Sequence, residues 1–115
     1  MANVEECRAA LRGLAARLAE MDPQARDRHT IDRTLDCRVR DLGVVFSARL
    51  RNGRLEDIHD HPQEDAGPAQ VRFTVNSDDL LALVDGRLSF AGAWATGRMK
   101  IEASVMDLLR LRRLL

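Results

Sequence analysis

Val71-Arg72-Phe73-Thr74-Val75-Asn76-Ser77-Asp78-Asp79-Leu80 changes its period in mid-stretch. Val71, Phe73 and Val75 alternate with Arg72, Thr74 and Asn76, the two-residue repeat of a strand with one buried face. At Ser77-Asp78-Asp79 the alternation stops. A hydroxyl residue followed by two acids suits a helix N-terminus, where free backbone N–H groups attract oxygen and negative charge. The helix then carries Leu80, Leu81 and Val84 and ends at Gly86. A strand running straight into an amphipathic helix has to bury the apolar sides of both, and that requires a sheet with helices laid on it.

Downstream, Ser89 to Thr96 is rich in small residues around Phe90 and Trp94 and reads as a short helix and crossover. Met99, Ile101 and Ala103 alternate with Arg98, Lys100 and Glu102 in a fifth strand. Ser104, with Asp107 three residues on, opens a last helix running to Leu115.

Upstream, Val4, Cys7, Leu11, Leu14, Leu18 and Met21 recur at three- and four-residue steps, the apolar stripe of a helix from Val4 to about Met21. Asn3 with Glu6 forms a capping box at its start. Asp22-Pro23 ends it, and Gln24 to Asp32 is a polar connector or a second short helix. From Thr34 the period becomes two. Leu35, Cys37 and Val39 oppose Asp36, Arg38 and Arg40; Gly43 turns the chain; Val44, Phe46, Ala48 and Leu50 alternate with Val45, Ser47, Arg49 and Arg51. Asn52-Gly53 is a hairpin signal leading into a third strand, Arg54 to Asp60. His61 to Ala69, with two prolines, a glycine and two acids, reads as a surface loop. The expected architecture is one α+β domain over 1–115, a five-stranded, mainly antiparallel sheet with helices packed on one face.

A chain of 115 residues is about the modal size of a single domain. Its 18 basic and 18 acidic residues cancel, so no global field selects a polyionic partner. With three Phe, one Trp and no Tyr it lacks the stacking platforms of single-strand nucleic-acid binders, and no nucleic-acid partner is expected. Acids stand at Glu5 and Glu6 where a secretory signal would be basic, which points to a cytoplasmic protein. Cys7 and Cys37 are too far apart for a CxxC motif and read as reduced, buried thiols.

Val71 to Leu80, then Asp85-Gly86-Arg87-Leu88, then Trp94 to Ala103 together resemble the sterol carrier protein type two (SCP2-like) domain. That family encloses a lipid between sheet and helices. Its pattern of a strand into a capped helix, a glycine turn, and a Gly-Lys-Leu-Lys-Ile-x-Gly-like strand before an apolar C-terminal helix is matched in order and spacing. Arg98 stands where the family tends to have Lys, and Ala103 where it often has Gly. The resemblance implies a pocket for a fatty-acyl or sterol-like molecule and no cofactor. Phe46, Phe73, Leu83, Phe90, Trp94, Met99, Ile101, Met106 and Leu109 are the expected ligand-binding residues. Apolar periodicity alone serves a filled core equally well, and the alternative is an interaction or dimerisation domain without ligand.

No catalytic constellation stands out. Ser47, Ser77, Ser89 and Ser104 lack a GxSxG elbow, and there is no phosphate-binding glycine loop. His59-Asp60-His61, with Asp57 and Glu64, is the one group that could ligate a metal, and it reads more simply as a solvated loop. The outward strand positions Arg38, Arg40, Arg49, Arg51, Arg72, Arg98 and Lys100 concentrate positive charge suited to a transient contact with an anionic membrane. The last helix carries leucines around most of its circumference, suited to a homodimer contact.

Overall fold

The computed structural model describes residues 2–20, 32–51 and 54–114, apart from the side chains of 110, 111, 113 and 114. The expected connector with His29, the turn at Asn52-Gly53 and the faces of Leu111, Leu114 and Leu115 lie outside the described residues. Helix α1 spans Val4–Ala19, and strands β1 (Arg33–Val39), β2 (Val44–Arg51) and β3 (Arg54–Pro62) follow. After β4 (Val71–Val75) come α2 (Ser77–Val84), α3 (Phe90–Ala95), β5 (Lys100–Glu102) and α4 (Val105–Leu114).

The capping box of α1 is present in both directions. Asn3 Oδ1 accepts from Glu6 N–H at 2.8 Å, and Glu6 Oε1 accepts from Asn3 N–H at 3.2 Å. The five strands lie in the order β3-β2-β1-β4-β5. β1 with β2, β2 with β3 and β4 with β5 are antiparallel, whereas β1 and β4 run parallel, so the sheet is mixed. The parallel pair arises because β4 is placed beyond β1, and the segment 63–70 returns the chain from one edge of the meander to its other side.

Two readings of local structure are corrected. The third strand does not stop at Asp60: His61 and Pro62 pair with Val45 and Val44. An edge strand tolerates Pro62 because the missing N–H costs no ladder bond. Within β3 an extra residue interrupts the register opposite Ser47 and Arg49, and Asp57 adopts φ 56°, the left-handed conformation an Asp accepts at a bulge. Leu55 and Ile58 consequently share the helix-covered face, while His59 and His61 turn away. The second correction concerns α2, whose first helical residue is Ser77, not its cap. The Asp41 carboxylate, from the 3-10 turn Arg40–Leu42, accepts from Ser77 N–H at 2.9 Å and Oγ–H at 2.5 Å, so a side chain distant in sequence fills the helix N-terminus.

The core sits between the sheet and α1, α2 and α3. Cys7, Val39, Phe46, Val75, Leu80, Leu83, Ala93 and Met99 are buried together there. Gly86, at φ 78°, takes the left-handed position that ends α2.

Candidate functional site: an apolar cavity between sheet and helices

Strand alternation sends Leu35, Cys37, Phe46, Ala48, Phe73 and Val75 to the helix-covered face. The bulge at Asp57 adds Leu55 and Ile58. α1 supplies Leu11 and Leu14, α2 supplies Leu80, Leu83 and Val84, and the chain around α3 supplies Phe90 and Met99. Together these enclose a cavity of about 200 Å³. Asp36 and Ser47 also border it. Their side chains belong to the opposite face of the sheet, where Ser47 Oγ–H donates to Asp36 at 2.8 Å and Arg72 Nη2 donates to Asp36 at 3.2 Å. They therefore contribute backbone to the wall, and that backbone is paired in the sheet.

Chemically the cavity offers hydrocarbon, aromatic rings and sulfur. A buried water needs on the order of 10–15 Å³ and two to four polar partners. The cavity has the room and lacks the partners. Its walls suit an apolar guest, which loses no hydrogen bonds on entering.

Of the nine residues expected at the ligand site, Phe46, Phe73, Leu83, Phe90 and Met99 line this cavity. Phe90 is 37% exposed and stands at its mouth. The other four lie elsewhere. Trp94 is half-buried, rests on the core and lines a separate surface groove with Ala91, Ala95 and Arg112. Ile101 packs half-buried beside the core. Met106 and Leu109, on α4, are 61% and 47% exposed. The nine did not include Leu11, Leu14, Leu35, Cys37, Ala48, Leu55, Ile58, Val75, Leu80 and Val84, which also line the cavity. For Leu55 and Ile58 the signal is the parity change at Asp57, visible only once the register of β2 and β3 is known.

Both thiols are inert by position. Burial, with smaller contributions from Asp41, Glu6 and Asp78, pushes Cys7 up to about 11. Burial pushes the cavity-wall thiol Cys37 up to about 12. A thiol that stays protonated at neutral pH is a poor nucleophile.

The residues weighed for metal binding are separated by the pleat. Asp60 turns to the helix side and is held by Arg8 of α1, while His59 and His61 lie on the outer face with ring centroids 5.7 Å apart. Ser47, considered as a nucleophile without a base, does have His61 Nε2 at 2.8 Å. Ser47 Oγ lies between Nε2 and the Asp36 carboxylate, and His61 Nδ1 faces the Pro62 carbonyl at 3.3 Å. The Ser47 and His61 side chains stand on the outer face of the sheet, away from the cavity.

An α+β fold with helices on one face of a five-stranded sheet and an apolar chamber between the layers defines a class of small ligand-enclosing domains. The chain belongs to the SCP-2 sterol transfer family, whose sequence profile matches residues 6–115. A crystal structure of sterol carrier protein 2 like 2 from Aedes aegypti superposes with a TM-score of 0.67 at 16% identity, over 96% of this chain and 97% of that one. A solution structure of palmitated SCP2L2 from the same organism gives 0.65 at 18% identity, over 98% and 94%. The sec-alkylsulfatase Pisa1 from Pseudomonas sp. also contains the fold. It gives 0.57 at 22% identity, over 85% of this chain and 15% of that one, so there it is a small part of an enzyme. No curated protein matches the chain significantly. No helix among the described residues is long and apolar enough to cross a membrane.

Proposed function

We infer that the chain is a binding module for a lipid-like molecule, fatty-acyl or sterol-like, held in the cavity with no reaction of its own. The observation that carries this reading is the 200 Å³ chamber whose described side chains include no hydrogen-bonding group beyond a thiol. Affinity then comes from buried apolar area at roughly 25 cal/mol per Å², and selection is by length and shape. Membership of the SCP-2 sterol transfer family and the palmitated relative of the same fold support it. Native mass spectrometry of gently purified protein, followed by a fatty-acyl and sterol panel, tests it. Adducts of one lipid per chain are expected. Ligand-free protein that takes up no member of the panel ends this reading.

A specific observation favours a second role for α4. Val105, Met106 and Leu109 are 73%, 61% and 47% exposed, a cluster suited to a homodimer contact through the C-terminal helix or to membrane contact. Light scattering of Met106→Glu/Leu109→Glu beside wild type separates them. A wild-type dimer that becomes a folded monomer supports self-association, and a monomeric wild type excludes it. The cytoplasm, where thiols stay reduced, is the compartment that fits a chain whose Cys7 and Cys37 are both free.

A further inference from the structure

The sheet face turned away from the cavity carries two cross-strand rows. In one, Lys100 on β5 stands beside Thr74 on β4, Thr74 beside Arg38 on β1, and Arg38 beside Val45 on β2. In the next, Glu102, Arg72, Asp36 and Ser47 follow across the same strands. The second row contains its own counter-charge, since Asp36, 5% exposed, accepts from both Ser47 and Arg72, although Arg72 Nε–H is left without an acceptor among the described residues. The first row contains no acid. Arg38 and Lys100 have no carboxylate partner among the described residues, and Arg38 Nε–H is buried without an acceptor. Thr74 lies between them, 7% exposed, and its hydroxyl has no partner among the described residues.

Neighbouring strands are about 4.8 Å apart, so the two cations rise from backbones roughly 10 Å apart with Thr74 midway. Both side chains are long enough to meet over it. Like charges brought together over that hydroxyl would repel, and a buried N–H without an acceptor is costly. Both costs vanish when an anion arrives. We propose that Arg38, Thr74 and Lys100 form a binding site for a tetrahedral oxyanion, a phosphate or phosphate-ester group, on the outer face of the sheet. Three donors from three strands match three oxygens, one more than a carboxylate presents, and the guanidinium fork suits two of them. Glu102, two residues from Lys100 on the same face, is the nearest carboxylate of that strand and stands in register with Arg72. The site is separated from the cavity by the sheet and does not depend on what the cavity binds.

The chemistry can be supplied by a soluble phosphate ester or by a phospholipid headgroup. Inorganic phosphate titrated into the full chain, followed by NMR, should saturably shift Arg38 Nε–H and the amides of Thr74 and Lys100. Arg38→Gln and Lys100→Gln should each weaken binding about tenfold, as loss of a charged hydrogen bond does, with circular dichroism unchanged. Arg12→Gln, on exposed α1 surface, should leave binding unaltered. Lys100 is exposed, so its variant keeps the test valid should Arg38→Gln fold poorly. In a parallel arm, sedimentation with phosphatidylcholine vesicles containing phosphatidic acid, abolished by Lys100→Gln, identifies a headgroup. Phosphate binding without vesicle binding identifies a soluble ligand. Absence of both, or binding that neither variant weakens, overturns the proposal.

Discussion

Arg8 of α1 holds Asp60 of β3 through both carboxylate oxygens, Nε to Oδ1 and Nη2 to Oδ2, each at 2.9 Å. The pair clamps the first helix over the edge strand, and that helix brings Leu11 and Leu14 to the cavity one and two turns further on. Arg8 also bonds Glu5 on its own helix, which fixes the guanidinium's direction.

The clamp carries a pH signature. Hydrogen bonds from Arg8 outweigh burial and hold the Asp60 carboxyl below its ordinary range. A carboxylate depressed in the folded state contributes stability that is fully present above its unfolded value, near 3.9, and lost as pH falls through the lower folded value. Asp60→Asn should therefore lower Tm clearly at pH 7 and much less at pH 3. An equal deficit at both pH values would show that the pair does not act through charge.

Asp41 and Ser77 give a second, local test. The carboxylate occupies two donors at the start of α2, and a lost cap costs about 1 kcal/mol. Asp41→Ala should reduce the urea midpoint accordingly, with Asp41→Asn intermediate because an amide oxygen still accepts. Unchanged stability in Asp41→Ala would mean that water caps the helix equally well.

These two contacts mark what the sequence could and could not say. The period change at Val75–Ser77 located β4 and α2, and Asn3 with Glu6 located the start of α1, because both signals are contained within a few residues. Asp41 reaches a helix 36 residues away, so no local pattern announces it. The parity change at Asp57 is a property of two paired strands and appears only with their register. The cavity was legible least of all. Leu, Val, Phe and Met fill a core or line a chamber with the same periodicity, and only the spacing between sheet and helices decides which.

Ala48 addresses that spacing. It lies on β2 at the cavity wall, opposite the bulge. Ala48→Phe should fill the empty volume, abolish ligand uptake and leave stability unchanged or raised. In a tightly packed core the same substitution would cost about 1–3 kcal/mol. A loss of that size in chemical denaturation would refute an open chamber.

Trp94 and Phe90 report on different places. Trp94, the only tryptophan, lines the outer groove with Arg112, so its emission should barely respond to a cavity ligand. Moving the indole to the mouth, as Phe90→Trp in a Trp94→Phe background, should give a saturable shift near 1:1. A strong response from Trp94 in the wild-type protein would relocate the ligand to the α3 groove.

The central claim, an apolar guest held between sheet and helices, is tested most directly by the methyl groups of two methionines. Met99 is 2% exposed and borders the cavity, while Met106 is 61% exposed on α4. With 13C-methyl methionine labelling and a hexadecanoyl ligand added to one equivalent, the account predicts that the Met99 resonance shifts and saturates, with intermolecular NOEs to ligand methylenes, while Met106 stays in place. A ligand that moves Met106 and leaves Met99 untouched would contradict it.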